Sequence, residues 1–313
     1  MKRLAAVILL LLLAQPPGEC KPKVAIIKAE SLECFDEVVQ GFKEEIGDEM
    51  ELYEYDMLGE PGNAGRIREI VRLRGFEGIF AVGALAALTV KHMGIPTVYA
   101  MVISPERLGI TEMEQMCGIS VRPPVDLILD RFKRAFPWVR RIGVVYRPSR
   151  TRFMIEEAEK ASEKLGLEIL ASPISSRRDV FRALNGLWGR MDALWLIPDP
   201  AFSWEDSMRY VLAESLRHKV LTFSSSPRMV EKGALLAVFP EPRDIGRQAA
   251  RMMRRIASGT PPSQLGLQRP KSCKVAVNLK TAALLGVSLP KEILKEGMIF
   301  PEGWGSCEVS ENR

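Results

Sequence analysis

The sequence predicts an α/β fold of two Rossmann-like lobes, each on a parallel sheet, joined by a multi-strand hinge. Three observations carry this. Arg141-Ile142-Gly143-Val144-Val145-Tyr146 is an apolar, β-branched run that ends in the turn Arg147-Pro148-Ser149-Arg150 and leads into Met154–Leu165, where Ile155, Ala158, Ala161, Ser162 and Leu165 recur at helical spacing. The same grammar stands near the N-terminus: Lys23–Lys28, a loop around Glu30–Glu33, then Phe35–Ile46 with Phe35, Val38, Val39, Phe42 and Ile46 on one face. The copies also continue alike, Gly75–Val82 corresponding to Arg190–Ile197 and His92–Tyr99 to Arg217–Ser224. Two βαβαβ halves of about a hundred residues each give one core per lobe.

Taken in order, the first half holds the strand Lys23–Lys28 and its helix, a second strand Met50–Asp56, a Gly59–Gly65 loop and a helix Arg66–Arg74. A third strand Gly78–Val82, a helix opening at Gly83-Ala84 and ending near His92–Gly94, and a fourth strand Pro96–Met101 follow. Helical crossovers between short apolar strands imply parallel pairing with both sheet faces covered. Ile103–Gly109, a strand Cys117–Val121 and the break Arg122-Pro123-Pro124 link the halves. The second half repeats the pattern with Leu167–Ala171 as its second strand and Phe181–Trp188 as the next helix.

Beyond the repeat come Gly233–Phe239, the break Pro240-Glu241-Pro242, a helix Asp244–Ala257, the turn Gly259-Thr260-Pro261-Pro262 and a strand Lys274–Asn278. These are surplus to a simple duplication and make sense if the chain crosses between lobes more than once. The expected division is 1–20 as a signal, 23–122 plus about 240–266 as the N-terminal lobe, 123–239 plus about 267–300 as the C-terminal lobe, and 301–313 as a tail.

Met1-Lys2-Arg3 and the apolar run Leu4–Leu13 form a charged n-region and a segment too short to span a membrane, the pattern of an export signal. Ala14-Gln15-Pro16-Pro17 is an imperfect cleavage site, and Pro17-Gly18-Glu19-Cys20 loosely resembles a lipoprotein box in which Glu19 is atypical. Three outcomes stay open: a lipid anchor at Cys20, a soluble exported protein, or an uncut apolar anchor. The 313 residues are 47% hydrophobic and 27% charged with a formal charge of +5, both signs interspersed. That is a solvated surface and argues against a nucleic-acid partner. Besides Cys20, Cys34, Cys117, Cys273 and Cys307 are too far apart for a zinc pattern, so no metal or cofactor is expected. In an oxidising compartment Cys34–Cys117 and Cys273–Cys307 are one of three connectivities.

No dinucleotide fingerprint follows Lys23–Lys28 or Arg141–Tyr146, and no P-loop, His-Glu-x-x-His or Gly-x-Ser-x-Gly occurs, so catalytic residues are not expected. His92 and His218, the only histidines, fall at equivalent helix ends, where an imidazole serves terminal carbonyls.

The chain resembles the solute-binding proteins of ABC transporters with the type I periplasmic binding fold, in the group that includes tryptophan- and tyrosine-binding members. The resemblance runs from about Lys23 to about Leu294 and rests on Ala81–Leu88 (AVGALAAL), Ile95–Ile110, Cys117–Val121, Pro137 with Arg141–Ser149, Gly233–Phe239, Gly246–Met252 and Asn278–Pro290 (NLKTAALLGVSLP). It implies a monomeric extracytoplasmic receptor, in the periplasm or on the outer face of the membrane, that captures a small solute and delivers it to a permease. A ligand-sensing partner of a membrane signalling protein is the alternative on the same fold, and an α/β enzyme a third.

In open α/β sheets ligands bind outside the carboxyl ends of strands, so the loops there supply the candidate site. Gly83 and Ala84 either present backbone N–H groups to an anion or serve a tight strand-to-helix turn. Tyr99 and Tyr146 either stack on ligand or belong to the core. Asp199 pairs with a ligand amine or caps the next helix, and the resemblance favours the first; Trp204 stands beside it, while Trp195 reads as core. Arg147 and Arg150, with Arg152, occupy the loop after the second half's first strand, where a guanidinium could grip a carboxylate. Glu30, Ser104, Pro148, Pro200, Ser224, Ser225 and Phe239 complete the set. Ser104 stands where relatives often carry Asp, Arg150-Thr151-Arg152 replaces a turn usually rich in Asn and Ser, and Ser224-Ser225-Ser226 stands where an acidic residue is common.

Overall fold

The structure, a computed structural model, describes residues 21–198 and 205–300. Cys20, Asp199, Pro200, Trp204 and Cys307 lie outside the described residues. The strands, in chain order, are β1 (Lys23–Lys28), β2 (Glu51–Asp56), β3 (Gly78–Val82), β4 (Thr97–Val102), β5 (Met116–Ser120), β6 (Arg141–Tyr146), β7 (Glu168–Pro173), β8 (Ala193–Leu196), β9 (Leu221–Ser224), β10 (Leu236–Pro240), β11 (Leu267–Gln268), β12 (Cys273–Asn278) and β13 (Met298–Phe300). The helices that matter below are α1 (Glu33–Ile46), α2 (Ala64–Arg74), α3 (Ala84–Val90), α4 (Val125–Ala135), α5 (Pro148–Leu165), α6 (Val180–Asn185), α7 (Glu205–Arg217), α8 (Pro227–Glu231) and α9 (Pro242–Ala257).

The described residues divide into two units, 21–119 with 245–268, and 120–198 and 205–244 with 269–300, so the chain passes between units three times. The first unit carries the sheet β11-β5-β4-β3-β1-β2 and the second the sheet β13-β12-β10-β9-β8-β6-β7. Both repeat one motif. β1 lies between β2 and β3 as β6 lies between β7 and β8, all parallel, with Lys23 opposite Glu51 and Arg141 opposite Glu168. The antiparallel β10–β12 pair is the exception in the second sheet.

Each sheet is buried on both faces, and the sequence shows why. Val24–Ile27 and Ile79–Val82 are apolar without alternation, as strands sandwiched between helices are. In the first unit Phe42 of α1 stacks on Phe80 of β3 at 4.3 Å, and α9, with Ile245, Ala249, Ala250, Met252 and Met253 buried, completes the same core. Arg247 pairs with Glu44, Arg251 with Glu45, and Arg254 with Glu45 and Glu49, which ties α9 to α1. Of the surplus C-terminal segment, α9 is therefore part of the first unit's core, while β10 and β12 belong to the second unit's sheet. In the second unit Phe132 of α4 stacks on Phe223 of β9 at 3.9 Å, and Phe223 in turn lies 6.1 Å from Trp195.

Two expectations need correction, and one helix was not expected. Met154–Leu165 is the second part of a longer helix: α5 starts at Pro148, because a proline at the first helical position has its φ preset and no N–H to waste. Arg122-Pro123-Pro124 does interrupt regular structure, but the helix that follows at once, α4, with Val125, Ile128, Leu129 and Phe132 buried, was not expected. The Cys34–Cys117 pair does not form; Cys117 is buried in β5, where burial pushes its thiol up to about 12, and Cys34 is a separate thiol on α1.

Candidate functional site

In both sheets the strand order reverses beside the first strand, between β1 and β3 and between β6 and β8, and the carboxyl ends of the parallel strands lie on one edge. That reversal is where loops diverge and leave a crevice. On the first unit the loops concerned are 29–32, 57–63, 83–84 and 103–109.

The loops after β1 and β2 are braced by a charge cluster that the sequence did not single out. Lys28, 8% exposed, places its ammonium 2.5 Å from Asp36 and 3.4 Å from both Glu54 and Asp56. Burial alone would lower the Lys28 ammonium, but Asp36 and Glu54 outweigh it and hold the group above its ordinary value. Asp56 accepts a hydrogen bond from the Ser31 hydroxyl at 2.6 Å and from the Leu58 N–H at 2.7 Å. Burial would raise its carboxyl; the Ser31 and Leu58 hydrogen bonds and the Lys28 charge pull it below the usual carboxylate range. One carboxylate thus ties the β1 loop to the β2 loop. Asp followed two residues on by a bonded N–H is an Asx turn, the signal that Asp56-Met57-Leu58-Gly59 carried.

Several candidate residues of the first unit turn out to be committed. Gly83 is buried with φ +95, and a β-carbon there would lie 2.7 Å from Ala29 and 2.8 Å from Phe35. Its N–H donates to the Ala100 carbonyl at 2.9 Å, so the tight-turn reading holds and this amide is not offered to an anion. Ala84, next to it, is exposed. Tyr99 is fully buried within β4 opposite Ala81, its ring packed over Gly118, and burial drives its hydroxyl above the ordinary range. It is a core residue, not a ligand contact, because its position in mid-strand turns it into the sheet's own packing. Glu30 is exposed at the end of β1, and Ser104, half-buried, accepts the Arg107 N–H at its carbonyl.

On the second unit Tyr146 ends β6 and Arg147 follows it, both half-buried. The Arg147 carbonyl accepts from the N–H groups of Arg150 and Thr151 at 2.9 Å each, which starts α5. Pro148 and Arg150 are exposed in its first turn, and Arg152 pairs with Glu156 at 3.5 Å. Arg150 and Arg152 therefore sit on a helix, not in a loop, and Arg147 is its extended N-cap. Ser224 is buried, its hydroxyl accepting the Ser226 N–H at 3.1 Å, so it shapes its own turn; Ser225 beside it is half-buried. Phe239 is buried with Val230, Ala237 and Ala276 and belongs to the core. His92 is exposed, while His218 stacks on Trp188 at 4.7 Å.

A groove of about 660 Å³ runs along the edge strand β7 and is lined by Ile169–Ser175 with Arg182 and Arg190. It lies at the sheet's flank, and strand-end topology outweighs it as a guide to the site. Among the described residues no group of His, Cys, Asp or Glu converges to hold a metal ion, and no helix is long and apolar enough to cross a membrane.

Comparison with known proteins agrees with this architecture. A family model described as "ABC transporter substrate binding protein" matches residues 23–299. A tyrosine-binding protein of Clostridioides difficile (strain R20291) is 21% identical over 198 residues, 61% of this chain and 57% of the relative, so the match spans little more than half of that protein. The ligand-free, open structure of a substrate-binding protein with adhesive properties from Clostridium difficile superposes with a TM-score of 0.72 at 19% identity, covering 89% of this chain and 98% of that one. An ABC domain from Streptococcus pneumonia in complex with L-Trp gives 0.56 at 20% identity, over 89% and 99%. An arabinose-binding protein from Geobacillus stearothermophilus gives 0.57 at 10% identity, over 86% and 99%.

Proposed function

Because the chain belongs to the ABC transporter substrate-binding protein family, we propose that it is an extracytoplasmic receptor that captures a small solute between its two units and hands it to a membrane permease. The observation that carries this reading is the duplicated sheet with its strand-order reversal, whose carboxyl ends gather Glu30, Ala84 and Ser104 on one unit and Tyr146, Arg147, Pro148 and Ser225 on the other. An amino acid is the solute class that the tyrosine-binding relative and the L-Trp complex favour. Arg147 or Arg150 would hold its carboxylate, and Asp199, followed by Pro200, its ammonium.

Residues 1–20 act as the export signal, with Cys20 as the candidate lipid anchor, and the receptor works as a monomer. Its lobes comprise 23–122 plus about 240–266 and 123–239 plus about 267–300, and the connections between them serve as the hinge. It performs no chemistry on the solute. Mass spectrometry of small molecules released on denaturing the purified protein, followed by thermal-shift titration with amino acids and sugars, tests the reading. A copurified solute that raises the melting temperature supports it; the absence of any bound or stabilising solute counts against it.

A further inference from the structure

Four strands end the two sheets among the described residues, and three of them carry devices that keep a sheet edge from pairing further. β11 and β13 are short, two and three residues. β2 is charged, with Glu51, Glu54 and Asp56, and its Glu54 pairs with Lys28 and Lys43. β7 holds the place in its sheet that β2 holds in the other, and it has neither device. Its six residues carry no charge between Glu168 and Pro173, where Ile169, Leu170, Ala171 and Ser172 are half-buried.

The backbone of β7 is open to a further strand. The N–H groups of Glu168 and Ile174 donate to the carbonyls of Arg140 and Tyr146 at 2.8 and 2.9 Å, so the even-numbered residues face β6. Facing alternates along a parallel strand, which turns the N–H and C=O groups of Ile169 and Ala171 outward. Pro173 also takes an outward place, where a proline forfeits no ladder bond. Beside this edge lies the groove of about 660 Å³, which Ala183, Gly186 and Leu187 also line and whose charged residues are Arg182, Arg190 and Asp179. Asp179 is already engaged, accepting from the Ser176 N–H and hydroxyl at 2.9 Å each. Arg182 and Arg190 are exposed; Arg190 gives one N–H to the Gly186 carbonyl at 3.3 Å and keeps the rest of its fork. Two guanidiniums against one engaged carboxylate leave the groove positive.

We propose that the β7 edge docks a protein partner through an extended acidic segment, which pairs with the outward groups of Ile169 and Ala171 and sets carboxylates against Arg182 and Arg190. Main-chain hydrogen bonds give the affinity, and the arginines select an acidic segment over a basic one. This surface belongs to the second unit alone and is separate from the strand-end loops assigned to the solute.

The probe is a short synthetic peptide in which glutamate alternates with valine, blocked at both ends, and its control carries lysine for glutamate. Each is titrated into the full mature chain and followed by calorimetry and by amide hydrogen exchange. The expected result is saturable binding of the acidic peptide, weaker in high salt, with slowed exchange at Ile169 and Ala171, and no binding of the lysine peptide. Ala171→Pro deletes one outward N–H and spares the bonds to β6, so it should weaken binding about fivefold or more, the worth of one backbone hydrogen bond. Arg182→Glu combined with Arg190→Glu should weaken it about tenfold or more at an unchanged melting temperature, and this surface pair decides the matter if the proline variant unfolds. No binding of the acidic peptide, equal binding of the lysine peptide, or protection away from β7 overturns the proposal and leaves solute capture untouched. So does a dimer in sedimentation that Ala171→Pro dissolves, which would give the edge to a second copy of this chain.

Discussion

A β-carbon on Gly246 of α9 would lie 2.0 Å from the carbonyl oxygen of Val38 in α1 and 2.7 Å from the Phe42 amide nitrogen. The two helices thus meet backbone to backbone, and any side chain at this crossing must push one of them off the first sheet. Gly246→Ala is expected to destabilise the protein by about 1–3 kcal/mol, the cost of overpacking, in spite of alanine's better helix propensity. Denaturant unfolding with an unchanged slope and a lowered midpoint would bear this out; an unchanged midpoint would mean the crossing is loose.

Tyr99 offers the opposite test. Its hydroxyl is buried without a hydrogen-bond partner, so Tyr99→Phe removes an unsatisfied polar group and keeps the ring over Gly118. Stability should hold or rise by about 1 kcal/mol, and affinity for the bound solute should not change. A drop in affinity would return Tyr99 to the solute site.

The Asp56 brace predicts a pH dependence. Its carboxyl is held below the ordinary range in the folded protein, so its contribution to stability is fully present above the unfolded value and is lost as pH falls through the folded one. Below about pH 4 the β1 and β2 loops should loosen before the sheet does. Hydrogen exchange at Leu58 and Gly59 should therefore quicken on acidification in the wild type. In Asp56→Ala it should be fast already at neutral pH.

The proposed lipid anchor at Cys20 is tested by localisation: if Cys20 is acylated, changing it to Ser should move the mature protein from the membrane fraction to the soluble periplasmic fraction. One acyl chain binds only marginally, so firm anchoring implies the several chains of a lipoprotein. Equal membrane retention of the variant would point to an uncut apolar segment.

The duplicated architecture was legible because helix-spaced and strand-length apolar runs recur in the same order, as in Arg141–Tyr146 and Lys23–Lys28. Pro148 was misread as part of a turn; a proline can equally open a helix, and only the partners of the Arg147 carbonyl decide. Position at a strand end was legible, but side-chain direction was not. Tyr99, Ser224 and Phe239 fell near the expected edge and yet are buried, since both faces of these sheets are covered and consecutive strand residues are all core.

The three passages of the chain between units also set an order of assembly. The first sheet's helices α1 to α3 and strands β1 to β5 are made early, yet the surface they offer to Ile245, Ala249 and Met253 stays bare until nearly all of the second unit has followed. A ribosome or a secretion channel that delivers the chain from its N-terminus cannot release a finished first unit. The polypeptide stays pliable until its last third arrives, the state in which a channel can thread it.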